Sequence, residues 1–300
     1  MSALNNRTPS PRRTLFAWIG LLIYACIVTF PHQFVQDFVS KLTDRYTNER
    51  VWAVSVKAAE LEGALLILFV AIALFRLRGW VERGWLATYL LLSVFLLFFS
   101  WRMFMINNME LVHFPQYFPE GIALVAMTGS AAESLAWIAI LGSLDEGFQY
   151  ASLAAARQGP FDFNDVYMDI AGGAAGIVLG LAWIGCVRRD DVRGWVKQVF
   201  VRPGIRVLTG IVAVGMLLLA TGRMVLYEKL SPPGYWFGLS REPNPGSPYF
   251  RPWVFGLHHF HEMTPLEGTL AIAGTIAVFA LMDRNLICKV RVFPKKAESR

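Results

Sequence analysis

Six apolar runs, at residues 15–30, 58–75, 85–106, 166–187, 205–225 and 266–282, constrain this chain more than any other feature. Each approaches the roughly 20 residues that a helix needs to cross about 30 Å of hydrocarbon. The rest of the sequence agrees: 55% of the 300 residues are hydrophobic and only 17% are charged, a balance that belongs to polytopic membrane proteins rather than soluble domains. No alternating barrel pattern is visible. A span must then satisfy its backbone hydrogen bonds internally as a helix. The expected fold is an all-α polytopic transmembrane bundle.

The stretch 109–149 is about 40 residues long, too long for one crossing and sufficient for two. Thr128, Gly129 and Ser130 offer a turn near its middle. Charge parity favours two crossings: with an inside N-terminus they gather about 18 of the 28 basic residues on the inner side, against about 11 for one crossing. The result is about eight spans with both termini inside. The N-terminal run with Arg7, Arg12 and Arg13 is followed by no small-residue cleavage site, so the first span reads as uncleaved.

Residues 1–187 form the expected core. Residues 188–300 add a basic inner linker, two further spans, an outer aromatic and proline-broken loop over 227–265, and a basic tail. The net charge of +6 follows the span ends and forms no single basic face, which excludes a nucleic-acid partner. Cys26, Cys186 and Cys288 lie far apart and suggest neither a disulfide nor a cysteine metal site.

Against this background the acids stand out, because a charge near the centre of a membrane helix costs about 2.5 to 3.5 kcal/mol. Asp145, Glu146 and Gln149 share one helical face at the end of the fifth span. Asp162, Asp165 and Asp169 open the sixth at i, i+3 and i+7. Dipole complementarity at a helix N-terminus accounts for Asp162 and partly for Asp165, but not for Asp169 or Glu146. Glu146, Asp165 and Asp169 are therefore the catalytic candidates, Asp145 and Gln149 substrate-binding candidates, and Arg157 their natural counter-ion. The stripe Gly172, Gly176, Gly180 reads as close helix packing.

The segment SLDEGFQYASLAAARQGPFDFNDVYMDIAGGAAGIVLG, residues 143–180, resembles the signature of the VanZ-like family. The matched positions are Glu146, Gln149, Arg157, Asp165, Asp169 and Gly172, while Phe148 stands where members often carry His. The upstream run Glu110-Leu111-Val112-His113-Phe114 is similar to the family's histidine-aromatic element, and nothing after Val187 matches. The resemblance implies a bacterial cytoplasmic membrane protein of the cell envelope, associated with reduced susceptibility to glycopeptides such as teicoplanin.

Glu110, His113 and Tyr117 fall at i, i+3 and i+7, and parity brings them to the outer face beside Glu146; Glu110 and His113 join the binding candidates. Pro115 and Pro119 are expected to kink this fourth span. Glu133, near the inner end of the fifth span, reads as a paired structural acid. His258, His261 and Glu262 form a metal-like cluster if that stretch is helical, although an interfacial His-rich loop is the simpler reading.

Three functions fit these residues. The first is recognition, in an outer polar cleft, of an amphiphile: a lipid-linked envelope precursor, a phospholipid or a lipoglycopeptide antibiotic. The second is an intramembrane hydrolase or transferase, acid/base or divalent-metal assisted, acting on a lipid-linked substrate. The third is a proton-coupled transporter, which needs a path across that only Glu133 offers.

Overall fold

The computed structural model describes residues 11–29, 41, 48–76, 80–105, 108–152, 161–188, 194–226, 237–238, 251–252 and 259–288. It is mostly helical. The helices are α1 (Pro11–Thr29), α2 (Asn48–Arg76), α3 (Trp80–Met103), α4 (His113–Thr128), α5 (Ala131–Ser152), α6 (Phe163–Ile184), α7 (Trp195–Phe200), α8 (Pro203–Ala220) and α9 (Pro265–Asn285). Of these, Phe163–Ile184, Pro203–Ala220, Pro265–Asn285 and residues 81–103 are long and apolar enough to cross a membrane.

The stretch 109–149 does divide into two helices. Thr128 ends α4, Gly129 takes the left-handed conformation at φ 66°, and its N–H closes on the Val125 carbonyl. A left-handed C-cap is the conformation that glycine adopts without a Cβ penalty. The start of α5 is then capped from a distance. Asp283 of α9 accepts from the N–H groups of Ala131 and Ala132 at 2.7 and 3.0 Å and from the Ser130 hydroxyl at 2.6 Å.

Helix α6 is the axis of the structure, with 83% of its apolar window buried against 11% for α8. Its glycines explain why. A Cβ on Gly172 would lie 2.6 Å from the Phe114 carbonyl oxygen, and one on Gly176 would overlap the Phe118 carbonyl. Gly180 meets Ile122 and Val125 in the same way, and Gly121 of α4 packs reciprocally on the Gly173 backbone. The pairs 114–172, 118–176 and 122–180 keep a constant offset, so two parallel helices interdigitate along their four-residue rows. The expected packing role of this stripe is what the structure contains.

Helix α5 runs antiparallel between them, setting Ile138 on Gly173 and Gly142 on Asp169. Tyr24 of α1 donates to the Gln116 carbonyl at 2.6 Å, and Trp18 packs on Trp137 at 5.5 Å. The exposed Leu61, Leu65, Phe69 and Ile72 of α2, and Val214, Met216 and Leu217 of α8, are the kind of surface that lipid covers.

Strand pairing among the described residues is confined to short two-stranded ladders. Residues Cys186–Arg188 pair antiparallel with Leu286–Cys288, joining the chain after α6 to the chain after α9. The last helices therefore pack onto the 1–187 core. At the other end Asn164 is fully buried: its amide donates to the Phe104 and His261 carbonyls at 2.9 Å and accepts from the Met263 N–H at 2.8 Å. One side chain thus ties the start of α6 to the end of α3 and the entry to α9.

Candidate functional site

The up-down-up arrangement of α4, α5 and α6 brings the start of α4, the end of α5 and the start of α6 to one end of the bundle. Two of these are helix N-termini, whose partial positive charge suits carboxylates. Asp162 is the N-cap of α6, accepting from the Asn164 N–H at 2.9 Å, as its position in the sequence suggested. Asp165 and Asp169 follow on the inner face.

His113, the first residue of α4, lies between them. Its Nδ1 is 2.7 Å from Asp169 Oδ1 and its Nε2 is 3.6 Å from Asp165 Oδ2. Both ring nitrogens face carboxylate oxygens; an imidazolium donates to both, a neutral ring to one. The ring is 1% exposed, so the pairing is shielded from water.

Around this pair gather the acids of α5. Glu146 accepts from Gln149 Nε2 at 2.9 Å and from the Asp162 N–H at 3.4 Å. Asp145 accepts from the Tyr117 hydroxyl at 3.5 Å and from Gln149 Nε2 at 3.4 Å. The sequence-derived group Glu146, Gln149, Asp145, Asp165, Asp169 and His113 is therefore one cluster. It is an enclosed one, with Asp145, Glu146 and Asp169 all under 5% exposed. Gly142 makes the room for it. A Cβ there would stand 2.5 Å from Asp169 Oδ2.

Three expectations need correction. Glu110 belongs to a 3-10 turn, Asn108–Val112, and α4 starts only at His113, so the α-helical register between Glu110 and His113 is broken. Pro115 falls in the first turn of α4, where its missing N–H has no intrahelical acceptor to lose; only Pro119 lies where an interior hydrogen bond is forfeited. Finally, His259–Phe260 is a strand and α9 starts at Pro265, so His261 and Glu262 do not lie on the helix that the ligand spacing assumed. His261 instead pairs with Glu267 at 3.2 Å, beside the Thr264–Glu267 capping box. Among the described residues, no three His, Cys, Asp or Glu side chains form a metal-binding group. Arg157 and His258 lie outside the described residues.

The sequence reading missed Glu120. It is 1% exposed, and its Oε2 has no hydrogen-bond partner among the described residues. The signal was available: His113, Tyr117 and Glu120 fall at i, i+4 and i+7, one face of α4.

Glu133 confirms its structural assignment at the opposite end, where Arg202 Nη1 lies 3.3 Å from Oε2. The helices and the cluster define a mostly α-helical protein with helices long and apolar enough to cross a membrane and acids buried between them. No family model, curated protein or solved structure matches the chain.

Proposed function

We propose that this is an eight-span protein of the bacterial cytoplasmic membrane, with both termini inside, whose His113–carboxylate cluster recognises the polar head of an amphiphile at the outer face. The spans would be α1 to α6, α8 and α9. Resemblance to the VanZ-like signature supports the reading, and the same residues of that signature contribute most of the cluster. The observation that carries it is His113 held between Asp165 and Asp169 in a buried site.

The same geometry favours acid–base chemistry over a passive pocket. His113 on Asp169 repeats the imidazole–carboxylate pairing that orients a general base, with Asp165 facing the second nitrogen. In this reading the cluster accepts and returns a proton at a lipid-linked substrate.

The test is binding and turnover of envelope lipids by the purified protein, compared with His113→Gln and Asp169→Asn at equal folded amount. Loss of turnover with retained binding marks an acid–base enzyme, and loss of binding marks a receptor. Wild-type behaviour in both variants overturns the assignment of the site. Reporter fusions after Gln149 and after Val187 should read outside and inside; the reverse overturns the topology.

A further inference from the structure

Helix α2 carries an ordered pattern that the buried cluster does not use. From Leu61 the exposed Leu65, Leu68, Ile72 and Phe75 follow at steps of four, three, four and three residues, and exposed Val54 stands one heptad before Leu61. This is the a/d seam of a coiled coil, whose apolar residues recur about every 3.5 residues. Val54, Leu61, Leu68 and Phe75 take the d places, and Leu65 and Ile72 take a; the sequence extends the a row back to Val51 and Ala58. Helix α2 packs on α3 and α6, and its half-buried Val56, Gly63 and Ala71 lie on the side opposite the seam. The seam therefore points out of the bundle.

Spacing alone decides little on an apolar helix. Val207, Ile211 and Val214 of α8 are exposed at the same steps of four and three, and the e and g places beside them hold only Leu208, Gly210 and Gly215. The flanks of α2 are different. From Asn48 to Glu62 every e and g place is polar, namely Asn48, Arg50, Ser55, Lys57 and Glu62, while the a and d places of that stretch are Val51, Val54, Ala58 and Leu61. Contact with lipid sets no such order, whereas a facing seam does, because e and g charges select the partner of a coiled coil.

Length and charge then name the occupant. At 29 residues α2 is about 43 Å long and exceeds the roughly 30 Å of hydrocarbon by about nine residues. Its first turns thus stand beyond the hydrocarbon, where closing an apolar seam removes it from water. Further in, where lipid is as apolar as leucine, side-chain packing takes over. Two copies inserted in the same sense hold their α2 helices parallel. In a parallel pair a g residue faces the e residue of the partner's next heptad, five positions on. Lys57 then meets the partner's Glu62, and two-fold symmetry makes the contact twice.

We infer that the protein pairs with a second copy of itself through the outward seam of α2, in a parallel packing closed on each side by Lys57 and the partner's Glu62. The His113 cluster takes no part, so the pairing stands or falls independently of the function proposed for that cluster.

The test counts subunits of the full chain by single-molecule photobleaching in liposomes of phosphatidylethanolamine and phosphatidylglycerol, over a dilution series. Two copies per particle are expected. Lys57→Glu and Glu62→Lys should each weaken pairing by about tenfold or more, and the two changes together should restore it. Glu60→Lys, at a c place away from the seam, should leave it unchanged. Cysteine scanning gives an independent readout: oxidation should join copies of Leu61→Cys, Leu65→Cys and Leu68→Cys above the level of the unmodified chain, and not those of Val56→Cys or Gly63→Cys. Single copies at every density would leave lipid on the seam and overturn the inference. A pair or larger assembly indifferent to the charge reversals, or not restored by the double exchange, would overturn it too, as would cross-links that ignore the seam. The wild-type count and the scan decide the matter even where a charge variant does not fold.

Discussion

The two ends of the α4–α5–α6 unit both contain buried or half-buried acids, and they treat them in opposite ways. At the Gly129 turn, Asp283 accepts three hydrogen bonds from Ser130, Ala131 and Ala132, and Glu133 faces Arg202, which also donates to the Thr128 carbonyl. At the His113 end, acids from α5 and α6 gather around one described imidazole, and Glu120 of α4 keeps an oxygen without a hydrogen-bond partner among the described residues. An acid whose hydrogen bonds are complete is there to hold the fold together. One whose bonds are incomplete is tolerated for another reason, and at functional sites that reason is what it binds.

The contrast can be broken by substitution. Asp283→Ala should be the most damaging change, costing about 3 kcal/mol because three donors lose their acceptor at a helix start. Thermal unfolding in detergent measures it. A loss below about 1 kcal/mol would remove Asp283 from its structural role. Gly176→Ala should come next, at about 2 kcal/mol, since the new methyl meets the Phe118 carbonyl and the backbone cannot rotate away. Gly210→Ala, where nothing lies within 4 Å, is its control and should leave the melting temperature unchanged.

Arg202→Gln should cost about 1 to 2 kcal/mol, less than the removal of Asp283, because Arg202 is 27% exposed and water replaces part of what Glu133 loses. The smallest effect on folding is expected at the other end. Glu120→Gln keeps the shape, removes a buried carboxyl group, and should change stability by under about 1 kcal/mol, in the stabilising direction. If Glu120→Gln instead unfolds the protein as Asp283→Ala does, the two ends are alike and the contrast fails.

Much of this arrangement can be read from spacing alone, and the limits of that reading have physical causes. The four-residue recurrence of Gly172, Gly176 and Gly180 signals a close helix contact because any side chain there would hold the helices apart. Thr128-Gly129-Ser130 signals a turn for the reason that Gly129 adopts φ 66°. Asp162 precedes its helix by one residue and caps it. Each of these is local.

What spacing does not contain is the partner on another helix. Asp283 reaches Ala131 across 152 positions, and Asn164 joins Phe104 and His261 across 60 and 97. Nothing local marks either residue. Glu110 misleads for a different reason: a 3-10 turn advances by three residues rather than 3.6, so the face counted from Glu110 drifts before α4 starts. Counting from His113 instead leads to Tyr117 and Glu120. The His261 region misleads because two residues of strand, His259–Phe260, replace the helix on which the proposed ligand spacing depends.

The distance in sequence between Asp283 and the turn it caps also has a consequence for how the protein is made. A ribosome delivers Ser130, Ala131 and Ala132 long before Asp283, so the nascent α4–α5 hairpin must wait for its acceptor through the synthesis of some 150 further residues. A chain stopped short of α9 carries that hairpin unlatched. Completion of the C-terminal helix is thus the moment at which the earlier half of the protein is closed.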